Sequence, residues 1–264
     1  MTLLQCRGLR KSFGGLHAIN DIDVDVEAGE ILGLIGPNGA GKTTFVNLLT
    51  GDIPPTAGTI VYRGTDITRL APHDRSRIGL SRTFQVPKPF GSMSIRENVA
   101  IGSLFGKGGR STDRRDAEAR IEAALATTGL DRVADEVPTT LSTAGLKRLE
   151  VARCLAAEPD LLFLDEPLGG LNPVEANEAL KLIRGLRDRG MTIIFIEHII
   201  KAVSAVSDRI MVLAQGRKLA EGTAREVLSH DDVKRAYLGD VSGALKRNAA
   251  RVAARRAAAG GGWS

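Results

Sequence analysis

Four short runs of consecutive apolar residues punctuate the chain, at positions 31–35, 161–164, 193–196 and 210–213. Each is rich in branched side chains, the pattern of strands buried on both faces. Segments 42–49, 173–187 and, after the fourth run, 224–228 have helical character. Repeated strand-then-helix order predicts a mainly parallel sheet covered by helices. Residues 3–9, 22–27 and 59–62 alternate apolar and polar instead, which predicts an antiparallel sheet flanking the core. Its turns are expected at Phe13-Gly14-Gly15 and Glu27-Ala28-Gly29.

The middle of the chain changes character. Residues 98–157 hold almost no β-branched runs. A charged amphipathic helix is predicted over 112–128, after a loop at 106–110, and another over 146–157. Residues from about 95 to 155 are therefore expected to form a helical lobe inserted into one α/β domain spanning 1–240. The stretch 241–264 is Ala/Arg-rich and ends in Gly260-Gly261-Gly262-Trp263-Ser264. Without an apolar stripe it is expected to be disordered, a frayed helix being the alternative.

Composition adds limits. At 264 residues, with 43% hydrophobic and 25% charged residues, the chain can bury a sizeable core. No segment approaches the roughly 18 apolar residues that span a bilayer, and the first residues lack the pattern of a secretory signal. Cys6 and Cys154 have no metal-ligand spacing and read as buried small hydrophobes in a reducing compartment. The net charge is +5, but Lys246, Arg247, Arg251, Arg255 and Arg256 account for it and no acid follows Asp240. A neutral body with a basic tail argues against a nucleic-acid face. The tail is expected either to associate loosely with anionic lipid or to be simply solvated.

The strongest chemical signal is Gly36-Pro37-Asn38-Gly39-Ala40-Gly41-Lys42-Thr43-Thr44, directly after an apolar run and directly before a helix. Glycines 36, 39 and 41 let the backbone wrap a polyphosphate with its N–H groups inward, and the helix adds its positive dipole end. Lys42 is expected to point at solvent or ligand and neutralise the β- and γ-phosphates, with the Thr43 hydroxyl on Mg²⁺. The run ending in Asp165-Glu166-Pro167 places two carboxylates at the end of a buried strand. Asp165 suits the metal shell through water, and Glu166 can take a proton from the attacking water. Alone, the pair also fits a helix N-cap; beside a phosphate loop it points to ATP and Mg²⁺.

With these motifs in order, the chain resembles the nucleotide-binding subunits of ABC transporters over residues 3–240. The resemblance implies a P-loop NTPase α/β core, an antiparallel β-subdomain and an inserted helical lobe. It implies roles for Gln85 (metal, attacking water and coupling to the transmembrane partner) and for His198 (the γ-phosphate). It places Asn172 in the loop crossing a dimer interface, and adenine on Phe13, an ordinary strand-end aromatic being the alternative. Arg82-Thr83-Phe84-Gln85-Val86-Pro87-Lys88-Pro89-Phe90 resembles the branched-chain (hydrophobic) amino-acid uptake branch, as do Asp66-Ile67-Thr68, Gly170-Leu171-Asn172-Pro173, Ile196-Glu197-His198 and Ala220-Glu221-Gly222-Thr223. That branch includes uptake of urea and short amides.

The family's signature, Leu-Ser-Gly-Gly-Gln or Leu-Ser-Tyr-Gly-Gln, stands here as Leu141-Ser142-Thr143-Ala144-Gly145. It serves the partner subunit's nucleotide, and Ala144 is expected to add strain if its position requires a positive φ. The resemblance implies two subunits sandwiching two ATP molecules, integral-membrane permeases as partners, and an external solute-binding protein acting indirectly. The subunit would sit in the cytoplasm, peripheral on the inner face of the membrane. The divergent signature predicts a heterodimer with unequal sites, a homodimer being the alternative. Two rival readings remain: a poorly hydrolysing regulatory subunit, and a non-transport ABC ATPase, against which stand a single phosphate loop, no CxxC pair and no long heptad stretch.

Overall fold

The computed structural model describes residues 1–107 and 113–237. The apolar runs become the interior of a six-stranded sheet ordered β10-β9-β3-β8-β7-β6. Its central members are β3 (Ile31–Ile35), β7 (Leu161–Asp165), β8 (Thr192–Ile196) and β9 (Arg209–Ala214). β6 (Leu80–Arg82) pairs parallel with β7 at one edge, and β10 (Arg217–Gly222) pairs antiparallel with β9 at the other. Every residue of β3, β7 and β8 is buried, as continuous apolar runs demand.

A second, antiparallel sheet has the order β2-β1-β4-β5. Its long strands are β1 (Thr2–Phe13) and β2 (Leu16–Glu27), joined by a turn at Gly14-Gly15, with β4 (Ala57–Tyr62) and the two-residue β5 (Thr65–Asp66) beyond. The helix α1 (Lys42–Thr50) packs Phe45, Val46, Leu48 and Leu49 into the cluster between the two sheets, with Leu4, Leu9 and Ile22 on one side and Phe163 and Ile194 on the other. The opposite face of the parallel sheet buries Ile35, Leu162, Phe195 and Val212. Against it lie α6 (Pro173–Asp188), α7 (Ile200–Val206) and α8 (Ala224–Ser229).

Between β6 and β7 the chain runs through α3 (Ile95–Phe105), α4 (Arg114–Thr128) and α5 (Thr143–Ala156). These close on their own cluster of Ile95, Val99, Leu125, Leu149 and Ala152. A Ser94–Glu97 capping box starts α3, and Gly129 ends α4 with φ 69°. The expected tail, 241–264, and residues 108–110 of the expected loop lie outside the described residues.

One expectation needs correction, and two elements were not anticipated. Helix α5 begins at Thr143 rather than Leu146, because the Ser142 hydroxyl accepts the Gly145 N–H and caps it. The helix expected at 224–228 is present as α8, but β9 first turns at Gln215-Gly216 into β10, a strand the sequence did not reveal. The strand β8 carries its own helix, α7, tight enough that a Cβ at Gly33 on β3 would lie 2.3 Å from the side chain of Val203.

Arg75 holds these layers together without an acidic partner. It lies on α2 (Pro72–Arg77) and is 1% exposed. Its guanidinium donates to the carbonyls of Leu48 and Leu49 at the end of α1, and to those of Ile67, Thr68 and Leu70, at 2.7–3.1 Å. The helix-end carbonyls supply the negative dipole that a cation favours. Arg75→Met should therefore strand several buried carbonyls and destabilise the fold by roughly 3–5 kcal/mol. A urea-unfolding midpoint that stays at the parent's value would show that these bonds contribute nothing net.

Candidate functional site

The carboxyl ends of β3, β7 and β8 meet because Leu34 and Asp165 both pair with Ile196. The turn after β3 is the glycine-rich loop. A Cβ at Gly36 would lie 2.2 Å from the Leu213 carbonyl oxygen, and one at Gly41, φ 104°, would lie 2.8 Å from that of Ala18. Only glycine fits either place. Pro37, Asn38 and Gly39 form the tip; Ala40 is buried beneath it. The Ala40 carbonyl accepts from Gly216 N at 2.9 Å, so the β9–β10 turn braces the loop. Helix α1 starts with Gly41 as N-cap, no side-chain cap and no acid in its first turn. Its first N–H groups and positive dipole end thus suit an anion. Thr43 is exposed beside them and Thr44 half-buried.

Lys42 does not reach into solvent. It is 8% exposed, and its Nζ donates to the carbonyls of Gly36 at 2.6 Å and Pro37 at 3.1 Å. The side chain lies back along its own loop, where those carbonyls are within reach. Its ammonium sits inside the curve of the loop rather than out in solvent.

Asp165 and Glu166 end β7 with different surroundings. Asp165 is nearly buried, and its Oδ2 accepts from Arg82 Nη2 at 2.7 Å. Arg82 also donates to Asn47 Oδ1 at 2.6 Å and Asp52 Oδ2 at 3.0 Å, tying β7 to the end of α1. Glu166 has φ 46°, a left-handed conformation that costs a non-glycine residue on the order of 1–3 kcal/mol. Gln85 Nε2 donates to Glu166 Oε2 at 2.6 Å, which leaves the amide oxygen of Gln85 for another partner. The Thr43 hydroxyl, the Asp165 carboxylate and that amide oxygen are hard oxygen donors. They fit Mg²⁺ completed by phosphate oxygens and water, although among the described residues no His, Cys, Asp and Glu cluster could hold a metal by itself.

His198 follows β8 with its side chain 56% exposed and Nδ1 3.6 Å from Glu197 Oε2. Glu197 is fully buried and accepts the N–H groups of Leu168 at 2.9 Å and His198 at 3.2 Å. Burial pushes its carboxyl above the usual carboxylate range. Phe13 stands half-exposed at the β1–β2 turn, with Lys11 Nζ 5.0 Å from its ring centre.

The remaining sequence-predicted residues lie on another edge. Ser142 and Thr143 are exposed at the start of α5. A Cβ at Gly170 would lie 3.4 Å from the Thr143 methyl, so the signature and the loop reaching Asn172 are neighbours. Asn172 caps α6, accepting from Val174 N and Glu175 N at 2.9 and 3.0 Å. Ala144 lies inside α5 and is absent from the residues of positive φ, so the expected strain there does not exist. Gly145 is the tight position, since a Cβ would lie 3.0 Å from the Leu141 side chain. What the signature lacks is a side chain, not a backbone conformation.

Sequence reasoning passed over four residues that organise the site: Arg75, Arg82, Glu197 and Lys147. Lys147 is 9% exposed on α5 and donates to the carbonyls of Gln85 at 2.5 Å and Glu166 at 3.1 Å. Arg82 and Glu197 stand inside motifs already noted, whereas Arg75 and Lys147 stand among other polar residues and carry no signal of their own.

This geometry agrees with known proteins. Residues 19–169 match the family model described as ABC transporter, and residues 217–242 match the model described as branched-chain amino acid ATP-binding cassette transporter. The chain is 42% identical over 251 residues to the high-affinity branched-chain amino acid transport ATP-binding protein LivG of Salmonella typhimurium, covering 90% of this chain and 98% of that one. It is 39% identical over 250 residues to the corresponding protein BraF of Pseudomonas aeruginosa, with the same coverage. The crystal structure of MJ1267 in its ADP conformation, an ATP-binding cassette of an ABC transporter, superposes with a TM-score of 0.83 at 28% identity, covering 90% of this chain and 99% of that one. The chain belongs to the ABC transporter family, as an ATPase subunit of its branched-chain amino acid branch.

Proposed function

We propose that this chain powers uptake of branched-chain amino acids, or of related small solutes, through separate integral-membrane permease subunits. The observation that carries the reading is the joining of Gln85 to Glu166 at the carboxyl end of β7, on the sheet edge from which the phosphate loop also leaves. The match of residues 217–242 to the branched-chain model and the names of the relatives support the substrate class. No helix among the described residues is long and apolar enough to cross a membrane.

The residues divide the work as follows. The loop 36–44 holds the polyphosphate, with Lys42 neutralising β- and γ-phosphate charge. Mg²⁺, held by Thr43, Gln85 and, through water, Asp165, would supply further charge neutralisation at the phosphates. Glu166 accepts the proton of the attacking water, and the Gln85 amide orients its carboxylate. His198 contacts the γ-phosphate, and the buried Glu197 fixes its backbone. Phe13 stacks on adenine. Ser142, Thr143, Ala144 and Gly145, with Asn172 beside them, face the nucleotide held by a second ATPase subunit. Helix α5 presents its N-terminal N–H groups there.

Docking to the permease uses the segment after Gln85. Phe84, Val86 and Phe90 are 51%, 68% and 45% exposed, and Leu104 and Phe105 at the end of α3 are 60% and 66% exposed. A groove of about 260 Å³ lies between Phe84, Phe105, Arg82 and Arg153. Contiguous apolar exposure of this kind marks a partner surface. Because Gln85 belongs to the same segment, a push on the groove reaches the hydrolytic site directly. The chain would then be a peripheral protein on the cytoplasmic face.

Glu166→Gln keeps the shape but loses the proton acceptor. Its ATP hydrolysis should fall by roughly 10²–10⁴-fold, with ATP binding retained. Turnover within a fewfold of the parent would remove Glu166 from the role of base.

The signature generates a second prediction. Because Gly145 rather than Ala144 carries the deficit, the isolated chain should hydrolyse slowly, and Gly145→Gln should raise its turnover more than Ala144→Gly does. In membranes the chain should copurify with permease subunits and a second, different ATPase whose own signature completes the site at Lys42. Fast hydrolysis by the isolated chain, unchanged by Gly145→Gln, would favour a homodimer with sound sites. Persistently negligible hydrolysis of the complex at the Lys42 site would favour the regulatory reading.

A further inference from the structure

The assignment of roles leaves the buried Lys147 unused. Lys147 lies one turn into α5, five residues after the N-cap Ser142, or about 7.5 Å along the helix axis. The carboxylates of Glu197, Glu166, Asp165 and Glu150 act on its charge. Yet its hydrogen bonds run to two main-chain carbonyls, those of Gln85 and Glu166. Burial holds the ammonium below the usual lysine range, while the carboxylates work in the opposite sense.

That choice of acceptors has a chemical consequence. An ammonium bonded to the Glu166 carboxylate would stabilise the anion and make it a poorer base. Bonded to the carbonyl, it fixes the residue and leaves the carboxylate free for Gln85 and water. The fixing is needed, because Glu166 holds a left-handed φ of 46°. Such a conformation persists only where the surroundings over-determine it. Its N–H donates to Ile196 O at 3.0 Å, and its carbonyl accepts from Gly169 N at 3.2 Å as well as from Lys147. Of these anchors only Lys147 comes from another lobe. It comes from the helix whose first turn is the signature.

We propose that Lys147 is a positioning residue that hangs the backbones of Glu166 and Gln85 from the signature helix. The signature that serves one nucleotide thereby sets the pose of the base that serves the other. This rests on Glu166 being the base and on two subunits sharing their sites. When α5 moves to meet the partner's nucleotide, the ammonium carries the carbonyls of Gln85 and Glu166 with it. A signature that has not engaged leaves the base of its own chain out of place.

The test uses the full chain and four variants: Lys147→Met, Lys147→Arg, Glu166→Gln and the double variant Lys147→Met/Glu166→Gln. Lys147→Met should bind ATP-Mg²⁺ within about twofold of the parent by calorimetry, while kcat falls about 10–100-fold at nearly constant KM, the size expected when a reacting group is misplaced by an ångström or so. Lys147→Arg, whose fork reaches the same two carbonyls, should recover at least about a third of the parent's kcat. The parent's ATP dependence should be sigmoidal, and Lys147→Met should make it hyperbolic, because the link between sites is cut. In single-turnover hydrolysis of labelled ATP, Lys147→Met should cost less than about twofold once Glu166→Gln is present, since the group it positions has lost its function.

Parent-like kcat in Lys147→Met would overturn the proposal. So would a loss that repeats in full in the Glu166→Gln background, or equal cooperativity in parent and variant. If Lys147→Met does not fold, Lys147→Gln, which keeps one donor, is judged by the same criteria. The two readings fail separately. A fast Glu166→Gln enzyme removes the base assignment, whereas an inactive Glu166→Gln beside a parent-like Lys147→Met removes only the role of Lys147.

Discussion

The constraint on which the site depends is the press of the phosphate loop between two sheets. At Gly36 the backbone touches the end of β9 in the parallel sheet, and at Gly41 it touches β2 of the antiparallel one, with no room for a methyl group at either place. Close packing of this kind leaves the loop one conformation. Helix α1, which inherits that conformation at its start, fills the space between the sheets with Phe45, Val46, Leu48 and Leu49. Its other end is closed by Arg75. A loop that must present its N–H groups to phosphate is thus held by the hydrophobic core itself.

Around that fixed loop the charged groups form a frame of backbone and side-chain bonds between lobes. Arg82 joins Asp165 to α1. Glu197 joins the turn after β8 to the turn after β7. Lys147 joins α5 to both Gln85 and Glu166. Each connection spans a different pair of moving parts, and each ends within a residue or two of a group assigned to ATP or its attacking water. The left-handed Glu166 fits this picture: Lys147 holds its carbonyl and Gln85 its carboxylate.

The sequence made some layers of this legible and hid others. Strands β3, β7, β8 and β9 announce themselves because burial on both faces requires uninterrupted apolar residues. The motif spacing identified the loop, since its glycines answer to close contacts. The helix α2 and strand β6 were invisible, being six and three residues long and largely polar outside. The bonds of three organising charges were hidden for a different reason. Arg75, Lys147 and Glu197 spend their bonds on main-chain groups of distant segments, and a main-chain partner leaves no mark in the sequence. Ala144 misled because its strain was inferred from a glycine in related signatures, whereas the Ser142 cap draws it into ordinary helix.

The account stands on the phosphate loop as the ATP site, and on Lys42 as its charge. The direct measurement is calorimetric titration of folded Lys42→Ala with ATP-Mg²⁺, beside the parent and with unfolding curves for both, because Lys42 also bonds the carbonyls of Gly36 and Pro37. The account predicts a folded variant whose affinity has dropped by at least about 100-fold, roughly 2.7 kcal/mol. A folded variant that binds ATP-Mg²⁺ as tightly as the parent would contradict it.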